Sequence, residues 1–125
     1  RLGIANRHLV RVIERMEERI EEPAPRARLA AEAGISVRQL DRLFAGHLGT
    51  TAERYYLRIR LDRARLLLLQ TMLPVVEIAM ACGFASASHF SRSYRAQFKV
   101  SPTGERERGL EKAARIGKVA AGPAA

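Results

Sequence analysis

The 125-residue sequence contains one cysteine, three histidines and no run of 18 apolar residues. A single cysteine, Cys82, cannot form an internal disulfide, which suits a reducing compartment, and its predicted core position favours a small buried hydrophobe over a reactive thiol. The histidines His8, His47 and His89 lie on separate predicted helices, without zinc-ligand spacing and without a second cysteine. Without a long apolar run, no membrane-spanning helix is predicted. We therefore expect no metal, no cofactor and no membrane partner.

The sequence also lacks the common signatures of enzymes. No serine occupies a nucleophile-elbow pattern, and no glycine-rich phosphate loop follows a strand because no strand pattern is apparent. The chain begins at Arg1 without a signal-peptide pattern, and we expect it to be part of a longer protein. These absences argue against an enzyme and favour an all-α fold.

Charge is the strongest feature of the composition. Lys and Arg number 22 against 13 Asp and Glu, giving a formal net charge of +9. Such an excess indicates a polyanionic partner, and nucleic acid is the commonest. Ribosomal and membrane-surface proteins carry a similar excess of positive charge, so net charge alone does not identify the partner. The arrangement of residues along the chain is more specific.

The most informative segment is 78–98, IAMACGFASASHFSRSYRAQF. Apolar residues at helical spacing precede Gly83, which adopts a left-handed turn without steric cost. Ser86 is then suited to accept hydrogen bonds from the amides that open a second helix. In that helix, apolar aromatic residues recur every four positions: Phe90, Tyr94 and Phe98. The pattern predicts a helix-turn-helix whose second, recognition helix lies in a DNA major groove.

Periodicity along the rest of the chain predicts about seven helices, arranged as two helix-turn-helix units joined by a long linker helix. We expect a tail or linker over residues 1–5, a first unit with its support helix over 6–50, and the linker helix over 51–70. A second unit with its closing helix is expected over 71–108, and a tail that is disordered or a frayed helix over 109–125.

Several element ends are predicted from local signals. Pro23 and Pro25 should stop the support helix, and a capping box of Thr50 and Glu53 should open the linker helix. Pro74 should lie in the first turn of the helix before Gly83. The linker helix ends in an all-round apolar turn, so this end is expected to be buried on several sides or to rest on a second domain. Its four arginines, Arg58, Arg60, Arg63 and Arg65, surround the helix, so at least two should form ion pairs with Asp62, Glu53 or Glu77.

The two predicted turns are copies of one pattern. Leu29, Ala30, Gly34 and Ile35 match Ile78, Ala79, Gly83 and Phe84 at a shift of 49 residues. Past the turn the shift is 50, where Leu40, Arg42, Phe44 and Thr51 match Phe90, Arg92, Tyr94 and Ser101. Two such units on one linker helix could place two recognition helices on one face of a duplex, about one turn or ~34 Å apart.

The run from Glu77 to Phe98, followed by Val100-Ser101-Pro102, resembles the signature pattern of the AraC/XylS family of bacterial transcription regulators. The resemblance extends from about Ile13 to Arg108. Residues 16–23 (MEERIEEP) and 49–71 are most similar to the branch with a DJ-1/PfpI-like, amidase-type sensor domain ahead of this region. The resemblance implies a missing N-terminal sensor domain, double-stranded DNA and RNA polymerase as partners, and a place at the nucleoid in the bacterial cytoplasm.

The resemblance also implies roles for residues on the two recognition helices, about 37–47 and 87–98. Base contacts are expected from Arg38, Asp41 and Arg42 in the first helix and from Ala87, Ser88, His89, Ser91 and Arg92 in the second. Backbone contacts are expected from Ser36, Ser86 and Arg95. An arginine fork matches the O6 and N7 acceptors of guanine, although phosphate contact or solvation stays open for Arg42, His89 and Arg92.

Two other functions remain open at this stage. A non-specific nucleic-acid binder would show a steep salt dependence and no specificity ratio. A helical protein-interaction module would use the leucine-rich end of the linker helix and would not bind DNA at physiological salt. Small polar residues on the outward faces of both recognition helices favour sequence-specific binding of double-stranded DNA and regulation of transcription initiation over either.

Overall fold

The computed structural model describes residues 6–121, and their side chains as far as Lys118. The described part of the chain folds into helices alone, which confirms the all-α prediction. The helices are α1 (Arg7–Glu18), α2 (Arg26–Glu32), α3 (Val37–Leu48), α4 (Ala52–Gln70), α5 (Val75–Ala81), α6 (Ala87–Phe98) and α7 (Pro102–Ala121). The predicted tail over residues 1–5 lies outside the described residues.

Short polar side chains open most of these helices. Asn6 accepts from the amides of His8 and Leu9 at the start of α1. Ser36 and Gln39 form a capping box before α3, and Ser86 caps α6 as expected. Each cap satisfies amides that have no partner inside the helix, and replacing one by alanine typically costs ~1 kcal/mol.

The hydrophobic side chains form two cores, and α4 contributes to both. The first core joins α1, α2 and α3 with the beginning of α4, around Leu9, Leu40 and Phe44. The second joins the rest of α4 with α5 and α6, around Leu61 and Phe90, and also contains the buried thiol of Cys82. Burial raises the pKa of that thiol to about 11, so the interpretation of Cys82 as a small hydrophobe fits the structure.

Helix α1 ends at Glu18, five residues before the proline that was expected to stop it. The backbone leaves the helix at Arg19, and Ile20 turns away into the second core instead of continuing the stripe of α1. The hydroxyl of Tyr56 fixes this segment, because it donates to the Arg19 carbonyl and accepts from the Ala24 amide at 3.1 Å. A long-range contact therefore sets the end of the helix.

Two predicted helix starts are displaced by one residue. The residue that caps α4 is Thr51, whose hydroxyl accepts from the Arg54 amide at 3.1 Å, and not Thr50. Pro74 lies just outside α5 as its N-terminal cap residue and not in its first turn. Both residues have extended ψ angles, 157° and 145°, which exclude them from the helices they precede.

The closing helix is longer than expected, and the apolar end of the linker helix is partly exposed. Helix α7, which we expect to close near Arg108 with disorder or a frayed helix beyond it, continues to Ala121. Arg106 on α7 caps the end of α4, donating to the carbonyls of Leu68 and Thr71 at 3.1 Å each. Within the described residues the apolar end of α4 is not buried on several sides, since Leu66 and Leu69 keep 50% and 46% of their surface exposed. The alternative, that this end rests on a second domain, stays a prediction.

Candidate nucleic-acid interface

The two helix-turn-helix turns have the same backbone hydrogen bonds. Gly34 and Gly83 both adopt left-handed φ angles, 74° and 82°. In the first turn the amides of Gly34 and Ile35 donate to the carbonyls of Ala31 and Ala30 at 3.1 and 3.0 Å. In the second, the amides of Gly83 and Phe84 donate to the carbonyls of Met80 and Ala79 at 3.1 and 2.9 Å. Every partner is displaced by 49 residues, as the sequence repeat predicts.

The recognition helices α3 and α6 repeat each other at a shift of 50. Both have 12 residues, and each is preceded by a serine whose hydroxyl accepts from the amide three positions on, at 3.1 Å. Each ends at a left-handed residue, Gly49 with φ 62° or Lys99 with φ 63°. The two units therefore present their recognition helices from the same local framework.

The candidate reading residues lie on the surface of these helices. Leu40 and Phe44 anchor α3 in the first core, and Phe90 and Tyr94 anchor α6 in the second. The residues expected to contact DNA occupy the other faces. Arg38, Asp41, Arg42, Ser88, His89, Arg92, Arg95, Ser36 and Ser86 are exposed, while Ala87 and Ser91 are partly exposed. Each recognition helix thus has a buried apolar face and an accessible polar face.

Asp41 has a partner that the sequence did not indicate. Nη1 of Arg26, the first residue of α2, donates to both carboxylate oxygens of Asp41 at 2.9 Å. The pair with Arg26 partly neutralises the Asp41 carboxylate on the exposed polar face of α3, and this lowers the repulsion between Asp41 and any phosphate that approaches that face.

His89 is supported from behind by an aromatic ring. Its imidazole meets the ring of Phe84 edge to face, with centroids 5.5 Å apart. The equivalent residue in the first unit, Gln39, accepts from the Ser36 amide at 2.9 Å to complete the capping box. His89 is therefore available to a ligand at a position where Gln39 is already engaged.

Three of the four linker arginines have polar contacts, most of which sequence periodicity could not assign. Arg58 pairs with Asp62 at 3.0 Å, as expected, while Arg65 pairs with Glu105 of α7 at 3.1 Å. Their guanidinium groups also lie 5.5 and 4.9 Å from the centroid of the Phe98 ring. Arg60 instead donates to backbone carbonyls of the second turn. These contacts join residues 4 to 40 positions apart, and only the shortest is visible as a helical spacing.

A buried polar contact attaches α6 to α7. The Tyr94 hydroxyl donates to Oε1 of Glu105 at 2.7 Å, and Glu105 is 7% exposed. Burial, reinforced by this hydrogen bond, raises the pKa of Tyr94 well above its ordinary range. Tyr94 therefore stays a neutral donor, and its contact helps to fix the recognition helix against α7.

The described residues contain no cluster of His, Cys, Asp or Glu that could hold a metal ion. Among them, no helix is long and apolar enough to cross a membrane.

Comparison with known proteins is consistent with this geometry. A family described as a helix-turn-helix domain matches residues 29–108. A crystal structure of a transcriptional regulator from Chromobacterium violaceum, of the AraC-type DNA-binding domain-containing proteins, superposes with a TM-score of 0.80 and 46% sequence identity. The match covers 82% of this chain and 91% of that one. The chain belongs to the AraC family.

Other AraC-family relatives extend the comparison. The HTH-type transcriptional regulator CdhR of Pseudomonas aeruginosa is 50% identical over 106 residues, which is 85% of this chain and 32% of CdhR. The DNA-binding domain of AdpA, solved in complex with a target DNA, has a TM-score of 0.80 at 28% identity and is covered over 96% of its length, with 86% of this chain matched. The chain thus spans about a third of the length of the curated relatives it matches.

Proposed function

We propose that this domain binds double-stranded DNA sequence-specifically, with α3 and α6 in successive major grooves, and so regulates transcription initiation. The observation that carries the proposal is the repeated turn, in which equivalent hydrogen bonds present two recognition helices with exposed polar faces. The solved complex of the similar AdpA domain with its target DNA supports duplex DNA as the ligand.

Individual roles follow from the chemistry of the exposed side chains. Arg42 and Arg92 occupy equivalent positions and suit guanine, while His89, Ser88 and Ser91 can bond neighbouring base edges. The remaining base contacts are proposed for Arg38, Asp41 and Ala87, the last through a thymine methyl group. Ser36, Ser86 and Arg95 are proposed to contact the phosphate backbone together with the amides that open α3 and α6.

We further infer that the domain works within a longer regulator. The curated relatives are about three times as long as the matched region, and the resemblance of residues 16–23 and 49–71 supports a DJ-1/PfpI-like sensor domain ahead of it. Recruitment of RNA polymerase is proposed from the same resemblance.

Selection from random duplexes at about 150 mM salt tests the proposal. We expect a consensus in two blocks spaced by about one helical turn, bound at least ~10³-fold more tightly than scrambled DNA. A single block would restrict base reading to one unit. The absence of enrichment, with steep salt dependence, would refute specific binding and leave non-specific attraction to the basic surface.

Replacement of Arg92 by alanine tests the site assignment. We expect a loss of roughly 1–3 kcal/mol on the selected site and a much smaller loss on scrambled DNA, measured by fluorescence anisotropy titration. Arg115→Ala removes an equal charge from an exposed position on α7 and serves as the control. If Arg92→Ala weakens both DNAs by the same factor, Arg92 contacts phosphate and not a base.

A further inference from the structure

A basic side chain holds the carbonyl at the same point of each turn. Nδ1 of His8, on α1, lies 3.2 Å from the carbonyl oxygen of Ala33. Nε of Arg60, on α4, donates to the carbonyl of Cys82 at 2.8 Å. Ala33 and Cys82 are equivalent at the shift of 49 and are the C-terminal cap residues of α2 and α5. The helix that supports each unit therefore reaches its turn from the same side.

The supporting helices are themselves equivalent. At a shift of 52, the buried residues Leu9, Val12 and Met16 of α1 match the buried residues Leu61, Ala64 and Leu68 of α4. His8 and Arg60 match at the same shift. The linker helix thus takes, in the second unit, the structural place that α1 has in the first.

The contact in the second unit is the more extensive of the two. Arg60 uses a second nitrogen, Nη2, to donate to the carbonyl of Gly83 at 2.7 Å. Its guanidinium also lies over the ring of Phe84, with Cζ 4.3 Å from the centroid. Burial lowers the pKa of Arg60 below its ordinary value, yet an arginine keeps its proton at any working pH. Two carbonyls and a ring face thus receive a permanent, partly buried cation.

Phe84, the ring that Arg60 covers, also contacts residues of the recognition helix α6. Phe84 packs against Phe90 inside the core at 5.1 Å and against the exposed His89 at 5.5 Å. Arg60 therefore fixes the turn through its hydrogen bonds and the first turn of α6 through Phe84. In the first unit the equivalent of Phe84 is Ile35, which has no ring face for a cation.

We propose that Arg60 is a positioning residue for the second recognition helix, setting the orientation of α6 and of His89 without touching DNA itself. This inference rests on the proposed sequence-specific function. Because a base contact depends on hydrogen-bond geometry, a small rotation of α6 weakens discrimination at the second block while the first block is read as before.

The chain supplies a matched control in Arg106. Its guanidinium also donates to two backbone carbonyls at a helix C-terminus, here that of α4, but it does not contact the turn before α6. Arg60→Met and Arg106→Met therefore remove the same chemistry from two places. Arg60→Lys retains the charge and a single donor group, so it should restore part of the positioning even if Arg60→Met folds poorly.

The test uses the selected two-block duplex and derivatives in which either block is scrambled. For each variant, the ratio of Kd values for scrambled and intact DNA gives one discrimination factor per block, at a temperature where circular dichroism shows the variant folded. For Arg60→Met we expect the second-block factor to fall about tenfold and the first-block factor to be unchanged. Arg60→Lys should fall between it and the wild type, and Arg106→Met should change neither factor.

Equal losses at both blocks for Arg60→Met, or an equal effect of Arg106→Met on the second block, would overturn the positioning role in favour of general stability. Unchanged factors for Arg60→Met would overturn it as well. Failure of the proposed function is a separate result, since it would appear as a wild-type domain with no discrimination at either block.

Discussion

Gly83 and Gly34 provide a test of how closely the two units are packed together. Both glycines have left-handed backbone angles at equivalent points of the repeat, so alanine at either position carries the same conformational cost. Their surroundings differ. A Cβ on Gly34 would meet nothing within 4 Å, whereas a Cβ on Gly83 would lie 2.5 Å from the carbonyl oxygen of Ile20 and 2.7 Å from Cγ of Pro23.

These surroundings give different magnitudes for the two substitutions. Left-handed φ costs a residue with a Cβ roughly 1–2 kcal/mol, and the smaller entropy of the unfolded alanine chain offsets about 0.4–1 of it. Gly34→Ala should therefore lower the free energy of unfolding by about 1 kcal/mol. Gly83→Ala adds the cost of overpacking, roughly 1–3 kcal/mol, because a backbone oxygen and a proline ring cannot rotate out of the way. The total for Gly83→Ala is about 2–4 kcal/mol.

Urea unfolding followed by far-ultraviolet circular dichroism measures both values. Gly49→Ala, which also has left-handed φ and open space around its Cβ, is the control and should behave like Gly34→Ala. Equal losses for Gly83→Ala and Gly34→Ala would refute the close approach of the second turn to the segment between α1 and α2.

Two further substitutions test local features of the fold. Lys99 occupies the left-handed cap position that Gly49 fills in the first unit, and a left-handed φ strains a residue that has a Cβ. Lys99→Gly should therefore raise the free energy of unfolding by about 0.5–1 kcal/mol in the same urea assay. A lower free energy of unfolding would show that the backbone of Lys99 is not strained. The hydrogen bond from Arg19 holds the pKa of Glu32 below its ordinary value of 4.5, so the ionised carboxylate stabilises the fold above that pH and its contribution is lost as the pH falls below it. Glu32→Gln should therefore reduce stability at pH 7 and flatten the decline in stability below about pH 4.5 in acid unfolding curves. If the variant loses stability with falling pH as steeply as the wild type, the pair contributes nothing.

The repeated architecture was predictable because its signals are local. A glycine with left-handed φ, a serine cap and an apolar residue every third or fourth position act within a few residues of one another, and they recur at Gly34 and Gly83. The all-α fold, the turns and the cap at Ser86 follow from such patterns. The domain boundaries that the same patterns suggest stay predictions.

The features that sequence could not supply depend on contacts between distant residues. Helix α1 ends where Tyr56, 37 residues away, holds the Arg19 carbonyl, and periodicity has no access to such a contact. In the sequence Arg60 is one of four arginines around the linker helix, and helical spacing does not indicate its carbonyl partners 22 and 23 residues away. The continuation of α7 beyond Arg108 does have a local signal, because Ala, Lys, Arg and Glu favour a helix even without an apolar stripe.

The same linker helix that belongs to both cores also has a consequence for the choice of binding site. A continuous helix of 19 residues is a rigid spacer about 28 Å long, unlike a flexible tether. One base pair added between the two blocks would move the second by about 3.4 Å and turn it by about 34° around the duplex. A flexible tether could follow that displacement and rotation. The rigid α4 cannot, so the DNA would have to bend or twist for both recognition helices to bind. The domain should therefore reject sites with correct bases at the wrong interval, so that the interval itself forms part of the recognised sequence.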